Sequence, residues 1–143
     1  MRKLTRRQER ELALNYLYSL ESQQKLTEDL TPEDLEGWEE LPITISGKSE
    51  DGYHLDIVLK TCSNLNFIDV KIKDNLVDWR LERLSLIDKN IMRIAVYEII
   101  FNSEVPKAVA IDEAVEIAKK YGSQKSPGLI NGILGQIEEP EKP

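Results

Sequence analysis

The feature that most constrains this chain is an apolar stretch from Leu86 to Phe101. Eleven of its sixteen residues are apolar or aromatic, and it contains neither glycine nor proline. A surface helix shows a single apolar stripe, whereas a helix that is apolar nearly all round lies in a core. Sixteen residues are too many for an ordinary strand and too few to cross a bilayer. With Ser85 as N-cap and Asp88 in the first turn, the stretch predicts the buried central helix of a small all-α protein.

Length and composition predict a single globular domain over residues 1–138, followed by a disordered tail at 139–143. The chain has 143 residues, of which 41% are hydrophobic and 31% are charged. Cys62 is the only cysteine and lies in an apolar helical pattern, which favours a buried small hydrophobe in a reducing compartment. The start lacks the apolar core of a signal peptide, and no run is long enough to span a membrane. We therefore expect a cytoplasmic protein with no membrane partner.

The hydrophobic periodicity predicts about seven helices in total. They are a first helix from Arg6, a short acidic helix from Pro32 to about Glu40, one capped by Ser49, one from about Asn66, the central helix, one from about Lys107 to Tyr121, and one with Ser126 as N-cap and Pro127 at its first position. Leu41–Gly47 alternates like a strand, but Pro42 favours an extended loop, and a turn is expected from Trp79 to Leu84. Asn131-Gly132 is typical of a hairpin turn, but the helical periodicity on both sides favours a helix there.

The first helix carries both a core face and a basic flank. Thr5 and Gln8 form a capping-box pattern at its start. The predicted core face consists of Ala13, Tyr16, Leu17 and Leu20. The predicted flank consists of Arg7, Arg10, Leu14 and Tyr18.

The net charge of −7 is unevenly distributed. Residues 1–10 carry a net charge of +4, which leaves −11 on the other 133 residues, and residues 21–51 alone carry −8. An acidic chain with a compact basic start indicates a local anionic partner rather than a general attraction to polyanions.

Candidates for catalysis are few. His54 is the only histidine, and its pattern favours a partly exposed helix residue. No glycine-rich phosphate loop, HExxH or CxxC motif occurs. Asp112, Glu113 and Glu116 could in principle hold Mg²⁺, but ordinary pairing of Glu116 with the lysines that follow it explains this acidic group better. The sequence predicts that the chain is not an enzyme and needs no cofactor.

The basic start is the remaining candidate site. Arg6, Arg7 and Arg10 are neighbours on one helix surface, with Arg2 and Lys3 just before them. Guanidinium groups pair bidentately with phosphates and stack on bases. Three to five such cations on a single RNA strand give a log–log salt slope of about −2 to −3.5. The hypothesis fails if these guanidiniums are held in intramolecular pairs with carboxylates and leave no open positive surface near Tyr18.

Several motifs follow one another along the chain. They are Arg6-Arg7, Arg10-Glu11, Ala13-Leu14 and Leu17-Tyr18 in the first helix, and then Trp79-Arg-Leu-Glu-Arg-Leu84, Ile91-Met-Arg-Ile-Ala-Val-Tyr-Glu-Ile99, Val105-Pro106, Val109-Ala-Ile-Asp-Glu-Ala-Val-Glu-Ile-Ala-Lys-Lys-Tyr-Gly122 and Ile130-Asn-Gly-Ile-Leu134. In this order the motifs resemble the NusB family of bacterial transcription antitermination factors. The resemblance covers essentially the whole chain and is weakest over residues 22–52.

The resemblance implies an all-α fold of two packed helical bundles without catalysis. It also implies binding to boxA-type single-stranded RNA of nascent ribosomal transcripts, together with NusE, a ribosomal small-subunit protein, in an RNA polymerase elongation complex with other Nus factors. By position, the implied RNA contacts are Arg2, Lys3, Arg6, Arg7, Arg10, Lys125 and Leu129. The implied contacts with the protein partner are Tyr18, Glu82 and Asp88. Glu82 could equally be a solvated turn acid, and Asp88 a helix-start acid.

The chain departs from the family pattern just before Ile130. The family usually has a Lys-Phe pair there, whereas this chain has Gly128-Leu129. The missing aromatic removes a base-stacking surface worth about 1–3 kcal/mol per stacked base. Lys125 in the preceding loop would compensate in part by its charge, so we expect weaker or altered boxA affinity.

Two other functions fit the residues less completely. One is a helical protein-interaction module that has lost RNA recognition, which the acidic body and Leu129 favour. The other is the RNA-docking part of a ribosomal RNA methyltransferase, but no glycine-rich cofactor-binding domain is present.

Overall fold

Six α-helices form the fold in the computed structural model, which describes residues 2–36, 47–77 and 81–140. They are α1 (Arg6–Ser22), α2 (Tyr53–Ser63), α3 (Leu65–Asp74), α4 (Leu86–Phe101), α5 (Lys107–Tyr121) and α6 (Ser126–Gly135). Single 3₁₀ turns occur at Pro32–Leu35 and Leu81–Arg83. The predicted all-α class is confirmed, with six α-helices in these ranges rather than about seven.

The central helix α4 organises the packing. It begins as predicted, because the Ser85 hydroxyl accepts a hydrogen bond of 3.0 Å from the Asp88 amide. Every residue from Asp88 to Ile99 is buried. Contacts with α1, α2 and α3 form one group of helices, and contacts with α5 and α6 form the other. The two groups therefore share α4 as a common core element.

The first helix is buried on more than one side. Leu14, Leu17 and Leu20 are all at most 1% exposed, and burying each such side chain contributes about 1.5–3 kcal/mol. The prediction that Leu14 lies on the flank with Arg7, Arg10 and Tyr18, and not on the core face, was wrong. Leu14 is buried because α1 packs against α2, α4 and α5, and not against one neighbour only.

The polar residues of α4 are paired inside the protein. Arg93 donates to both carboxylate oxygens of Asp69 on α3, at 2.7 and 2.9 Å, and to Glu21 on α1 at 2.9 Å. Lys89 forms an ion pair of 3.0 Å with the same Glu21. A buried charge is tolerated when it is paired and hydrogen-bonded. The ion pairs of this network therefore compensate the buried charges of α4 and link α4 to α1 and α3.

The acidic segment after α1 is shorter than predicted. Only Pro32–Leu35 forms a turn, and Glu36 is already extended, with φ −75° and ψ 149°. The prediction of a helix continuing to Glu40 was therefore wrong at Glu36. The rest of that segment and most of the predicted loop at 41–47 lie outside the described residues. The predicted turn from Trp79 lies partly outside them.

Two helix starts also differ from the prediction. Gly52, with φ +69°, precedes α2, and Ser49 instead accepts a hydrogen bond of 2.8 Å from the Gly52 amide. Ser126 is the first residue of α6 and not its N-cap, and its hydroxyl accepts from the Ser123 amide at 2.8 Å. Asn131-Gly132 lies within α6, which confirms the helical interpretation. The predicted tail remains a prediction, because 141–143 are not described.

Candidate nucleic-acid interface

The start of the chain is anchored before α1 begins. The capping box is formed: the Gln8 amide donates to the Thr5 hydroxyl at 3.1 Å, and the Thr5 amide donates to the Gln8 side chain at 2.9 Å. Upstream, the Leu4 amide donates to the Lys48 carbonyl at 3.1 Å, and the Lys48 amide donates to the Arg2 carbonyl at 3.0 Å. The basic start therefore lies against the segment that leads into α2.

Gly47 is required for this close approach. Its φ is +140°, and a Cβ atom there would lie 2.6 Å from the Leu4 side chain and 2.9 Å from the Arg2 carbonyl oxygen. Only glycine adopts such a backbone without strain. The acidic residues just after Gly47 are thereby held next to the cations.

Lys3 and Arg6 pair with that acidic segment. Lys3 Nζ lies 2.5 Å from Glu50. The Arg6 guanidinium donates to both carboxylate oxygens of Asp51, at 2.9 and 2.8 Å, and to Glu9 at 2.7 Å. It also lies 4.3 Å from the centroid of the Tyr53 ring. The hydrogen bonds from Arg6 lower the pKa of the Asp51 carboxyl to about 2.

Arg7 pairs with α5 on the other side of α1. Its guanidinium donates to the two oxygens of Glu113 at 2.6 and 3.2 Å and lowers the pKa of that carboxyl. The side chains of Arg6 and Arg7 are still 52% and 49% exposed. Exposed ion pairs contribute about 0–1 kcal/mol each, so another anion can replace Asp51 or Glu113 at little cost, while Glu9, which is 3% exposed, keeps its contact with Arg6.

Arg10 belongs to the interior. Its side chain is 7% exposed, and its Nε lies 2.9 and 3.0 Å from the oxygens of Glu98, which is 1% exposed. The Tyr53 hydroxyl also donates to Glu98 and accepts a hydrogen bond of 3.1 Å from Asn102. The prediction that Arg10 shares an open surface with Arg7 was therefore wrong. The residue that neutralises Arg10 lies 88 positions away in the sequence.

Arg2, Lys125 and Leu129 are the other predicted RNA contacts, and not all of them lie near the cations of α1. Arg2 is exposed and forms no ion pair within the described ranges. Lys125 is also exposed, just before α6, and no hydrogen bond or ion pair links it to the cations of α1 among the residues described. Leu129 is half-buried and packs against the hydrophobic core.

The predicted partner contacts differ in accessibility. Tyr18 is half-buried, and Glu82 is exposed in its 3₁₀ turn. Asp88 is buried, and its Oδ1 has no hydrogen-bond partner within the described part of the chain. Its position in the first turn of α4 is that of a helix-start acid, which favours the second of the two interpretations left open.

The RNA hypothesis fails if the guanidiniums are paired with carboxylates and leave no open positive surface near Tyr18. Only part of this condition is met. Arg6, Arg7 and Arg10 are all paired with carboxylates, which weakens the RNA hypothesis. Only Arg10 is enclosed, however, while the other two guanidiniums remain half open. The site reduces to Arg2, Lys3, Arg6 and Arg7.

The remaining candidates for chemistry, His54 and Cys62, have structural roles. His54 Nδ1 lies 3.4 Å from Glu9, and the ring stacks on Tyr16 with 6.2 Å between centroids. Burial raises the pKa of the Cys62 thiol to about 12, which agrees with an inert buried cysteine.

Among the described residues, no group of three histidine, cysteine, aspartate or glutamate side chains is placed to hold a metal ion. Within the same ranges, none of the helices combines the length and apolarity required to cross a membrane.

Sequence reasoning missed the acidic partners of the cations. Glu50 and Asp51 belong to the acidic segment noted above, but their pairing with Lys3 and Arg6 joins positions 47 and 45 residues apart. Glu113 lies 106 residues from Arg7 and was considered only as a metal ligand. No local pattern connects residues at such separations.

The comparisons with known proteins identify one family. The NusB family model matches residues 7–139. Two curated relatives are described as transcription antitermination protein NusB. The protein of Clostridium novyi is 37% identical, with 94% of this chain and 98% of the relative covered, and that of Citrifermentans bemidjiense is 36% identical, with 93% of each covered. These relatives are transcription factors and not enzymes, which agrees with the sequence prediction.

Solved structures agree with the sequence comparisons. The structure of T. maritima NusB has a TM-score of 0.75 and 33% identity, and the match covers 94% of this chain and 91% of that one. A structure described as antitermination factors NusB and NusE in complex with double-stranded RNA has a TM-score of 0.72 and 26% identity, covering 92% and 94%. The family match, the relatives' identities over nearly the full length and the shared fold lead to one conclusion: this chain belongs to the NusB family.

Proposed function

We propose that this chain acts in transcription antitermination by binding boxA-type single-stranded RNA of nascent ribosomal transcripts together with NusE. The observation that carries the proposal is the pair of half-exposed guanidiniums of Arg6 and Arg7 at the start of α1, beside Lys3. Family membership supports it, as does the related structure described as NusB and NusE with RNA.

Phosphate oxygens can replace the carboxylates that now hold these cations. Arginine pairs with phosphate in the same bidentate geometry that Arg6 uses with Asp51 and Arg7 with Glu113. Because each exposed pair contributes little to stability, breaking it does not unfold the helix start. With Arg2 and Lys3 included, up to four phosphate contacts give a log–log salt slope of about −2 to −3.

Arg10 then serves as a positioning residue and not as an RNA contact. It neutralises Glu98, which accepts the hydrogen bond of the Tyr53 hydroxyl. The Tyr53 ring in turn lies under the Arg6 guanidinium. The buried pair of Arg10 and Glu98 therefore holds the Tyr53 ring in place, and the Arg6 guanidinium is oriented against that ring.

The protein partner would contact the half-buried Tyr18 and the exposed Glu82. Asp88 would act mainly by stabilising the start of α4, because its carboxylate is shielded. Lys125 and Leu129 would lie at the margin of the RNA surface, and the RNA polymerase elongation complex with other Nus factors would bind the assembled RNA–protein unit.

Fluorescence anisotropy with labelled boxA RNA tests the proposal. Titrations with and without NusE over a series of salt concentrations should show tighter binding when NusE is present. The double variant Arg6→Gln/Arg7→Gln should weaken binding and reduce the salt slope by about 1.4, because two contacts of about 0.7 each are lost.

The matched control is Lys25→Gln/Lys73→Gln. Both lysines are exposed and lie outside the proposed site, and the variant removes the same amount of charge. RNA binding that is absent in the wild type, or that weakens equally in the two double variants, would refute a site at Arg6 and Arg7.

A second candidate, a protein-interaction module without RNA recognition, is favoured by one observation. All three arginines of α1 are already neutralised by carboxylates. For this function, purified NusE should bind with an affinity that boxA RNA does not increase.

A further inference from the structure

Both phenylalanines of this chain lie at the surface. The chain has two, Phe67 and Phe101, and they are 47% and 43% exposed. Phenylalanine is among the residues most often buried, so a chain that exposes both of its phenylalanines leaves apolar area unburied. The two rings touch edge to face, with 5.6 Å between their centroids. They therefore form one aromatic surface and not two isolated exposures.

The protein holds this surface rigidly. Phe67 lies in the first turn of α3, and Phe101 is the last residue of α4. Tyr97, one turn earlier on α4, is buried and stacks on Phe101 with 6.5 Å between centroids. Because Tyr97 is buried in the core, it supports the Phe101 ring, and Phe67 contacts Phe101 in turn.

A groove joins the aromatic surface to the cations of α1. Its volume is about 600 Å³, and its lining includes Arg6, Lys60, Phe101 and Asn102. Lys71 Nζ lies 5.3 Å from the centroid of the Phe67 ring. Cations are thus found near both rings, in the groove that Phe101 lines and beside Phe67 on α3.

Acidic groups also line the groove, namely Asp51, Asp56 and Glu104. They balance the charge of the cations, so the groove does not attract phosphate by net charge alone. Carboxylate and amide oxygens accept hydrogen bonds from the exocyclic amino groups of nucleobases. Exposed aromatic rings, acceptors and nearby cations together suit an unstacked base whose phosphates remain at the rim.

We propose that Phe67 and Phe101 form a stacking surface for unpaired bases of the RNA strand whose phosphates bind at Arg6. This inference rests on the proposed function and locates a second part of the same binding site. It also gives the site an aromatic contact, which Leu129 cannot supply. The continuity of the groove with Arg6 favours RNA over a protein partner for this surface.

The occurrence of only two phenylalanines permits a direct test by ¹⁹F NMR. Full-length protein labelled with 4-fluorophenylalanine should give two resonances, which Phe67→Tyr and Phe101→Tyr assign. Addition of single-stranded boxA RNA should shift both resonances. RNA that binds without shifting either one would overturn the stacking surface.

Affinity measurements provide the second test. Phe67→Leu/Phe101→Leu keeps the apolar surface but removes the aromatic faces, and it should weaken RNA binding by about 5- to 150-fold, as expected for the loss of one stacked base. Phe67→Tyr/Phe101→Tyr should retain the affinity, and Val77→Ala, at a site that is 72% exposed, should have no effect. Circular dichroism melting curves check that each variant is folded.

The outcomes separate this inference from the proposed function. If Arg6→Gln/Arg7→Gln weakens RNA binding but the leucine variant does not, the stacking surface is wrong and the proposed function stands. If the leucine variant loses NusE affinity and keeps RNA affinity, the surface is a protein interface and the inference is overturned. If the wild type binds no RNA, both proposals fail.

Discussion

The buried pair of Arg10 and Glu98 gives the sharpest prediction about stability. Arg10→Ala leaves the Glu98 carboxylate, which is 1% exposed, without its cation. Removing one partner of a buried ion pair typically costs about 3–5 kcal/mol, because an uncompensated charge stays buried. Since small domains are stable by about 5–15 kcal/mol in total, the variant should lose a large share of its free energy of unfolding. Arg7→Ala, at an exposed pair, should lose about 1 kcal/mol or less.

Urea denaturation followed by far-UV circular dichroism measures both free energies of unfolding. The double variant Arg10→Met/Glu98→Leu should recover most of the lost stability, because apolar residues replace both charges of the pair. The reasoning fails if Arg10→Ala costs less than about 1 kcal/mol. It also fails if Arg10→Ala lowers RNA affinity at unchanged stability, since Arg10 would then contact RNA directly.

Three further predictions concern the core and the ion pairs. Leu14→Ala should cost about 2–5 kcal/mol in urea denaturation, whereas a residue on an exposed flank would cost little. The Cys62 thiol, with its pKa raised to about 12, should resist a thiol reagent at mildly alkaline pH in the native protein and react fully in urea; rapid native reaction would contradict its burial. The pKa of Asp51, lowered to about 2 in the folded protein against about 3.9 unfolded, means that the Arg6–Asp51 pair stabilises the fold fully above about pH 4 and progressively less as the pH falls towards 2. Asp51→Asn should remove this part of the acid sensitivity and should raise RNA affinity by up to about fivefold, because it removes the bidentate partner of Arg6 and leaves only the hydrogen bond with Glu9, whereas Asp29→Asn should do neither.

Local sequence signals predicted the helices well because each depends on nearby residues. Ser85 and Thr5 cap their helices as expected, and the apolar stretch of α4 is buried from Asp88 to Ile99. Two of the boundaries that failed depend on less regular backbone. Gly52 adopts a positive φ before α2, and Glu36 leaves the helical conformation after one turn.

The sequence by itself determined the all-α class, the central helix and the concentration of positive charge at the start of the chain. Only the tertiary structure decided which of those cations remain accessible. Arg7 and Arg10 lie on the same face of α1 by helical spacing, yet Arg7 is half exposed beside Glu113 and Arg10 is enclosed with Glu98. The physical reason is that the accessibility of a charge depends on the helices that pack around it. Their carboxylates come from positions about a hundred residues away, beyond the range of any periodic pattern.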